Sequence, residues 1–409
     1  MDSARTGARA PVGGLPGLTP SDQLAGTVAP TGDALLRPFP GLRYDPDVAG
    51  PPAGLLAPPH TELDKSRRAA FLASSPYVVT HLERPEYGTG STGPLVLDWL
   101  DHGVLLQDPA SFYVVRQREA TANEARVRHF LLANLTVVPD DPRVHPHEGV
   151  FEQAVAARLH RLEATRVDSE PVLVVDSAPW PVRWTHPEGL GERVLRSEGA
   201  GVEVWRVRDP DVVTALVDAS RTHRFLIADG HHRYAAALSA ARAAGRPADL
   251  LVAVADDATE PVDLRALHRI LPQRAAASVL DGAQRRRRLV DASPETLGRV
   301  QQALGSQQAV VVLPSGAHVV EQDRVPHAAS GSGAWVDALI RAGGTPSDAV
   351  RYQGDLTVVL AAVGGSAAVL LPHPTVAGLT RLARDGGLMG RKTTSFRPKP
   401  LAGSVMRLR

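Results

Sequence analysis

Hydrophobic and polar positions alternate most regularly between residues 151 and 254 of the chain. Apolar residues at helical spacing predict a buried helix face, and short apolar runs bounded by turn residues predict buried strands. Strands and helices follow one another here, which predicts an α/β arrangement at the centre of the chain. The predicted elements are helices over 151–166, 211–220 and 231–244, and strands over 171–175, 202–207, 225–228 and 250–254.

The flanking parts of the chain show shorter and more mixed patterns. Before the central stretch, the pattern predicts helices over 66–72 and 94–102 and strands over 77–79, 112–116 and 130–138. After it, the pattern predicts a polar helical region over 275–305, hairpins over 309–321 and 356–371, helices over 335–342 and 376–384, and a basic, loop-like tail from 389. We therefore expect a mixed fold of α+β and α/β type.

These changes in pattern divide the chain into four regions. Residues 1–36 carry repeated Pro and Gly without periodicity, which predicts a disordered leader. An N-terminal α+β region follows over 37–129, and a core over 130–274. A C-terminal α+β region with a basic tail then covers 275–409.

Composition and charge narrow the class of protein. The formal net charge is +1, which argues against a DNA-binding protein that binds mainly through a large excess of positive charge. The chain has no Cys, so disulfides, cysteine-held metal clusters and thiol catalysis are excluded. We find no signal-peptide pattern, and glycines interrupt the longest apolar stretch, 356–371. We expect a cytoplasmic protein without a membrane span, and its oligomeric state stays open.

The sharpest chemical feature is a polar string between a predicted strand and a predicted helix. It reads Asp229-Gly230-His231-His232-Arg233. The first turn of a helix offers backbone N–H groups to an anion, Gly allows close approach, and Arg can bind phosphate through two parallel hydrogen bonds. The alternative is structural, with an aspartate cap, a glycine turn and a solvated His-His-Arg surface.

A second feature is the segment His145-Pro146-His147-Glu148. In an extended segment, residues two apart share a face, so the two histidines could grip one ion. The carboxylate beside them could act as a general base. The alternative is a polar loop whose Glu148 favours the start of the next helix, and no third metal ligand of the usual kind is visible nearby.

Two basic segments complete the candidate chemistry. The tail from Arg391 to Lys399 carries four positive charges with hydroxyls between them, which could cradle phosphate. The alternative is a solvated basic terminus. We expect the part from Lys392 to fold back over the 229–233 loop. The run 285–288 is all arginine and is expected on an exposed helix face.

The string at 227–234, Ile-Ala-Asp-Gly-His-His-Arg-Tyr, closely resembles the signature of a bacterial family, domain of unknown function 1015, whose members are often labelled ParB-like. The resemblance covers roughly 37 to 405. Further matches follow in order: Arg43-Tyr44-Asp45-Pro46, Ser75-Pro76-Tyr77, His147-Glu148, His268-Arg269, and Lys392-Thr393 with Phe396, Pro398 and Lys399.

A more distant resemblance suggests a fold and an activity. Residues 130–255 resemble the core shared by ParB nucleotidases, sulfiredoxin and free-serine kinases, which implies a ParB/sulfiredoxin-like core with additional N- and C-terminal α+β regions. By this resemblance Glu148 deprotonates a substrate hydroxyl, and ATP or another nucleotide binds with Mg²⁺, but no metal site built from protein ligands alone is implied. Asp229 is the second catalytic candidate. The implied phosphate- and nucleotide-binding residues are Gly230, His231, His232, Arg233, Lys392, Thr393 and Lys399.

The resemblance favours a small-molecule kinase acting on a hydroxylated metabolite such as serine. The alternative is a ParB-like nucleotide-binding regulator, or a partition-type DNA-associated protein, with little turnover. Three positions depart from the family pattern. His60 stands where Tyr is usual, Val78 where Asn is common, and Gly149 where Arg or Lys is usual. These departures imply altered specificity or reduced activity.

Overall fold

The structure is a computed structural model that describes residues 34–83, 92–120, 125–323, 331–390 and 392–409. The predicted leader therefore lies, up to residue 33, outside the described residues. The strands are β1 Leu36–Arg37, β2 Gly41–Tyr44, β3 Leu105–Gln107, β4 Phe112–Ala120, β5 Ala125–Val137, β6 Val144–Pro146, β7 Val167–Asp168, β8 Val172–Asp176, β9 Glu192–Ser197, β10 Val202–Val207, β11 Phe225–Asp229, β12 Ala248–Asp256, β13 Asp263–Ala266, β14 His268–Leu271, β15 Arg285–Arg288, β16 Gln308–Leu313, β17 Gly316–Glu321, β18 Arg351–Gln353, β19 Ala367–Leu370, β20 Thr394–Arg397 and β21 Met406–Leu408.

The helices lie between and around these strands. They are α1 Pro46–Ala49, α2 Lys65–Ser74, α3 Thr80–Glu83, α4 Thr92–Asp101, α5 Glu152–Thr165, α6 Pro210–Ala219, α7 His231–Ala244, α8 Gln273–Gly282, α9 Pro294–Ala303, α10 Ser332–Ala342, α11 Leu356–Ala361 and α12 Val376–Arg384. The predicted mixed α/β class is confirmed. Among the residues described, no helix is both long and apolar enough to cross a membrane.

The largest sheet has the strand order β6-β11-β8-β12-β5-β4-β10-β9, and β1 pairs with β5 at one side. It joins strands from two of the predicted regions, 37–129 and 130–274. Because side chains alternate across a strand, even and odd positions of β5 enter different cores. Phe130 packs on one face with Trp99, and Leu131 packs on the other face with Tyr234.

A second sheet, in the order β15-β17-β16-β19-β14-β18, lies in the C-terminal half. One of its faces packs against α8 and α10 through residues such as Val279 and Trp335. The other face packs against α9 and α11 through Leu297 and Val359. Two small sheets, β3-β2-β21-β7 and β13-β20, join distant parts of the chain.

Several predicted elements differ from the structure. The segment 77–79 is a turn into α3 and not a strand. Arg285–Arg288 is an exposed edge strand and not part of a helix; charged residues at a sheet edge prevent it from pairing with other chains. Leu356–Ala361 is a helix and not a strand, because the Asp355 side chain accepts hydrogen bonds from the first turn and caps it.

The C-terminal tail is not the loop-like terminus that its polarity predicted. Strand β20 pairs with β13, and β21 pairs with β2 and β7. Val405 and Met406 are fully buried. The last residues of the described chain therefore belong to the main core, on the face that also carries Phe130.

Candidate functional site

The candidate site lies where two parallel strands end. Strand β6 pairs in parallel with β11, and Pro146 lies opposite Ile227. His147 and Glu148 follow directly after β6, and Asp229 ends β11, so these residues leave the sheet at the same edge. The carboxyl ends of parallel strands are a common place for ligand sites in α/β folds. The structure thus places the two predicted catalytic carboxylates, Glu148 and Asp229, at neighbouring strand ends.

Helix α7 begins at this edge and leaves its first turn without a side-chain cap. The residue before it, Gly230, has a φ of 91°, a left-handed conformation that favours glycine. A Cβ at this position would lie 3.0 Å from Arg233 Nη2 and 3.0 Å from Val172 Cγ2. The glycine therefore permits both the turn and the close packing under it. The positive end of the helix dipole faces this edge.

The C-terminal segment crosses over this loop, as expected for Lys399. Lys399 Nζ lies 2.6 Å from Asp229 Oδ1, and both side chains are largely buried. Thr394 Oγ1 lies 3.2 Å from His147 Nε2, and the Phe396 ring packs on the His147 ring. The segment 394–399 therefore covers the candidate site and supplies a cation to it.

Lys392 and Thr393, which were predicted to bind phosphate, have other contacts in the structure. The Lys392 ammonium lies 4.7 Å from the centroid of the Tyr352 ring, on the second sheet. The Thr393 hydroxyl donates to the carbonyl oxygen of Gly390. Lys392 has a φ of 50°, so the chain turns there and carries these two side chains away from those that follow.

Two histidines form a buried contact under the loop. His231 Nε2 lies 3.3 Å from His147 Nδ1, and the rings meet edge to face. The carbonyl oxygen of Ile227 lies 2.7 Å from His147 Nδ1 and can only accept, so Nδ1 carries the proton and donates it. Nε2 then accepts from the Thr394 hydroxyl. Burial lowers the pKa of His147 to about 4 and holds the pKa of His231 well below its usual range.

These pKa shifts change the expected role of His231. Both rings are neutral at pH 7, so His231 offers no positive ring charge to a phosphate. His232, the next residue, is half-buried. His145 and His147 were also predicted to bind one ion together. In the structure His147 packs against His231 instead. In the described parts of the chain, no group of three His, Asp or Glu side chains is placed to hold a metal.

Arg233 differs most from its predicted role. Its guanidinium is buried and donates to Glu170 Oε1 at 2.7 Å and to the carbonyl oxygen of Pro171 at 2.7 Å. It also lies 3.4 Å from Asp229 Oδ2. Because protein acceptors already occupy these nitrogens, the predicted two-bond contact with phosphate is not available in this arrangement. Arg233 instead ties the loop to the strand that begins after Glu170.

The carboxylate of Glu170 is the centre of a buried ionic cluster. Its second oxygen lies 3.0 Å from His60 Nδ1. Burial alone would raise the pKa of Glu170, but Arg233 and then His60 outweigh burial and hold it well below its usual range. His60 is one of the three departures from the family pattern, and this contact brings it into the surroundings of the site.

Glu83 extends this cluster with a buried acid. It is 4% exposed, and neither carboxyl oxygen has a hydrogen-bond partner among the described residues. Burial, and then the charge of Glu170, raise the pKa of Glu83 to about 8. The other two departures are different in kind. Val78 is fully buried, and a Cβ added at Gly149 would meet Leu388 Cδ1 at an ordinary 3.9 Å.

Sequence reasoning missed Glu170 and Glu83, and it noticed His60 only as a departure. Glu170 and Arg233 are 63 residues apart, and His60 and Glu170 are 110 apart. No local spacing links them. The one available signal was the charged Glu170 directly before the apolar run 171–175, since a charge that enters a core needs a partner.

The fold is a mixed α/β fold with a polar site at the carboxyl ends of two parallel strands, and the family follows from comparison. A family model described as a protein of unknown function (DUF1015) matches residues 36–330. The chain belongs to this family. No curated protein matches it.

Solved structures match over part of the chain. A mutant of a free serine kinase in complex with ADP shows 13% identity and a TM-score of 0.40, over 65% of this chain and 87% of that one. A conserved hypothetical protein from Pyrococcus furiosus shows 12% identity and a TM-score of 0.38, over 67% and 93%. SbnI from Staphylococcus aureus, truncated at its C-terminus, shows 10% identity and a TM-score of 0.37, over 66% of this chain and 85% of that one.

Proposed function

We propose that this protein is a phosphotransferase that moves a phosphoryl group from a nucleotide to the hydroxyl of a small metabolite such as serine. The observation that carries the proposal is the contact between Lys399 and Asp229 at the start of an uncapped helix, beside the strand end that bears Glu148. Phosphoryl transfer depends mainly on positioning and on charge neutralisation. This edge combines an anion-binding helix start, a cation and two carboxylates.

The nucleotide phosphates would lie at the start of α7, over Gly230. The backbone N–H groups of the first turn and the Lys399 ammonium then neutralise phosphate oxygens. The half-buried His232 ring adds a further hydrogen-bonding group, and His231 acts as a neutral ring under the loop. Arg233 holds the loop in place through Glu170 and is a positioning residue in this proposal.

Glu148 would act as the general base. Its carboxylate takes the proton from the substrate hydroxyl, the hydroxyl oxygen forms a bond to the terminal phosphorus, and the bond from that phosphorus to the nucleotide's bridging oxygen breaks. The products are the phosphorylated substrate and the shortened nucleotide. General-base groups of this kind typically contribute about 10²–10⁴ in rate.

The residues present fit a magnesium ion that arrives with the nucleotide. Mg²⁺ is usually held by one or two carboxylates together with substrate phosphates and several waters. Asp229 would supply the carboxylate that holds the ion, while Glu148 serves as the base. The ion, when bound, supplies charge neutralisation for the phosphates.

A second candidate is a nucleotide-binding regulator with little turnover. One observation favours it: protein groups already occupy Arg233, so one cation that could stabilise a transition state is not available in this arrangement. The regulator would bind nucleotide as the kinase does. The two candidates differ in turnover and not in binding.

Calorimetry and turnover assays on wild type and Glu148→Gln test the proposal. Wild type is titrated with ATP, ADP and CTP in the presence of Mg²⁺, and phosphoryl transfer to serine and other small hydroxyl compounds is followed with the nucleotide that binds. We expect Glu148→Gln to bind nucleotide within about threefold of wild type and to lose turnover by about 10²–10⁴. Binding without turnover in wild type supports the regulator. Absence of binding by every nucleotide overturns both candidates.

A further inference from the structure

A cavity of about 420 Å³ is lined by residues other than Glu148 and Asp229. It opens beside the first residues of β5, where the loop 261–263 meets Arg397 and Pro398. Its volume falls within the range of about 300–1,000 Å³ that is usual for small-molecule sites. None of the residues proposed for the nucleotide site lines it.

Three arginines line this cavity. Arg126 and Arg128 are two positions apart on β5 and therefore share a face of the sheet. Arg397 approaches from β20 on the other side. The only carboxylate in the described lining is that of Asp263, and Glu260, Glu62 and Glu119 pair with the arginines from beyond the lining. Three guanidinium groups in one wall can bind an anion through charge-assisted hydrogen bonds.

Arg128 is the buried member of the three. It is 7% exposed, and its two terminal nitrogens donate to the carbonyl oxygens of Glu260 and Pro261. Its Nε is buried and has no hydrogen-bond partner in the described parts of the chain. The Glu260 carboxylate lies 3.7 Å from one of the terminal nitrogens, Nη1. A buried donor without an acceptor is costly, and an anion in the cavity would satisfy it.

The two more exposed arginines, Arg126 and Arg397, form ion pairs of different length. Arg126 bonds to Asp263 at 2.5 Å, but Asp263 is shared with Arg265, whose Nη2 lies 2.6 Å from the same oxygen. Arg397 forms ion pairs of 3.5 Å with Glu62 and 3.6 Å with Glu119. These distances exceed the 2.7–2.9 Å typical of charge-assisted hydrogen bonds. The Arg397 guanidinium can therefore serve a better acceptor, whereas Arg126 is held by a carboxylate that it shares with Arg265.

The rest of the wall is apolar. Val127, Val262 and Pro398 line the cavity between the charged groups. Guanidinium groups match the geometry of phosphate oxygens, and an apolar wall favours a ligand with an apolar or planar body. A bare inorganic ion would leave this wall uncovered.

We propose that this cavity binds a small organic phosphate. The guanidinium groups of Arg126, Arg128 and Arg397 surround the phosphate, and the body of the ligand packs on the apolar wall. The site is a binding site separate from the sheet edge. It does not depend on the phosphotransferase function proposed above.

Calorimetry with phenyl phosphate tests this site. We expect saturable binding of phenyl phosphate, binding of inorganic phosphate that is at least about tenfold weaker, and no binding of benzyl alcohol, which lacks the charge. Arg126→Gln and Arg397→Gln should each weaken phenyl phosphate at least tenfold. The matched control is Arg287→Gln, an arginine exposed on the distant edge strand β15, which should leave binding unchanged. Thermal unfolding of each variant checks that it is folded.

Three outcomes overturn the proposal. They are absence of phenyl phosphate binding, equal binding to wild type and to folded Arg126→Gln and Arg397→Gln, and benzoate binding as tightly as phenyl phosphate. Glu148→Gln separates the two sites. We expect it to keep full phenyl phosphate affinity, and a loss there would assign the ligand to the sheet edge instead. If nucleotides fail to bind while phenyl phosphate binds, the proposed phosphotransferase function is wrong and the proposed cavity site is retained.

Discussion

At the scale of single residues, the buried pair of Arg233 and Glu170 decides how the loop at Gly230 is held. Each group enters a low-dielectric environment. The guanidinium donates there to the Glu170 carboxylate and to two backbone carbonyl oxygens, and the carboxylate is paired with Arg233 and His60. Removing one partner of such a pair leaves a buried charge without compensation, which is costlier than removing both. The short string that suggested a phosphate ligand therefore contains a residue that acts inside the protein.

Arg233→Gln should destabilise the protein by about 3–5 kcal/mol, because it leaves the Glu170 carboxylate buried without its main partner. Urea unfolding measures this change. The double variant Glu170→Gln with Arg233→Gln is the matched control, and it should be more stable than Arg233→Gln alone. If the double variant is the less stable of the two, the charge of Glu170 does not depend on Arg233.

Glu83 gives the protein a pH-dependent stability of opposite sign to that of an ordinary ion-paired carboxylate. Its pKa is about 8 in the folded state and 4.5 in the unfolded chain. Between these values the folded state keeps a proton that the unfolded state has released. The contribution of Glu83 is therefore complete below about pH 4.5 and is lost as pH rises toward 8.

Glu83→Gln should be more stable than wild type at pH 8 and nearly equal to it at pH 5. The amide resembles the protonated acid and cannot ionise, so the difference should grow by a few kcal/mol across this range. Unfolding in urea at each pH measures it. Parallel stability curves for the two proteins would show that Glu83 ionises normally.

At the scale of elements, the segment 392–399 shows how neighbouring residues reach different surroundings. The turn at Lys392 directs that side chain to Tyr352, whereas Lys399 reaches Asp229. Sequence alone gave both lysines the same role, because composition and order do not reveal the direction of a turn. The position of the segment over the loop could be expected from its charge.

Lys399→Gln should weaken nucleotide binding at least tenfold, because it removes the ammonium from the start of α7. Lys392→Gln removes the same charge from the same segment and is the matched control. It should leave nucleotide affinity within about twofold of wild type. Calorimetry with the nucleotide bound by wild type measures both, and equal losses in the two variants would contradict the assignment.

Helices and strands with a strong local sequence pattern could be predicted. Those whose secondary structure depends on the elements packed against them could not. The strand β11 and the helix α7 follow from an apolar run, an Asp-Gly turn and an alanine-rich helix. The four arginines of β15 are a strand only because β17 offers them a sheet edge. The β-branched residues of α11 favour a strand locally, and the cap at Asp355 together with packing on α9 overrides them.

At the scale of the whole molecule, the return of the C-terminus to the N-terminal strands could not be foreseen. Met406 pairs with Leu42, and Arg407 binds Asp168 at 2.8 Å. No periodic pattern encodes a contact between parts of the chain this far apart. The sequence predicted the class of the fold, whereas the closure of its main core depends on these distant pairings.

Met406→Ala should destabilise the protein by about 2–5 kcal/mol, the usual cost of truncating a fully buried methionine. Leu408→Ala on the same strand is the control, because Leu408 is only partly buried and should cost less. Chemical unfolding measures both. A cost for Met406→Ala below that of Leu408→Ala would mean that β21 is not part of the main core.

The pairing of β21 with β2 and β7 has a consequence for synthesis of the protein on the ribosome. The N-terminal strands emerge first, but their partner strand leaves the exit tunnel only after residues 406–408 have been added. At elongation rates of about 5–20 residues per second, this part of the core stays incomplete for tens of seconds. Exposed apolar surface of that kind is what chaperones bind. We expect the nascent chain to stay sensitive to protease until β21 has emerged.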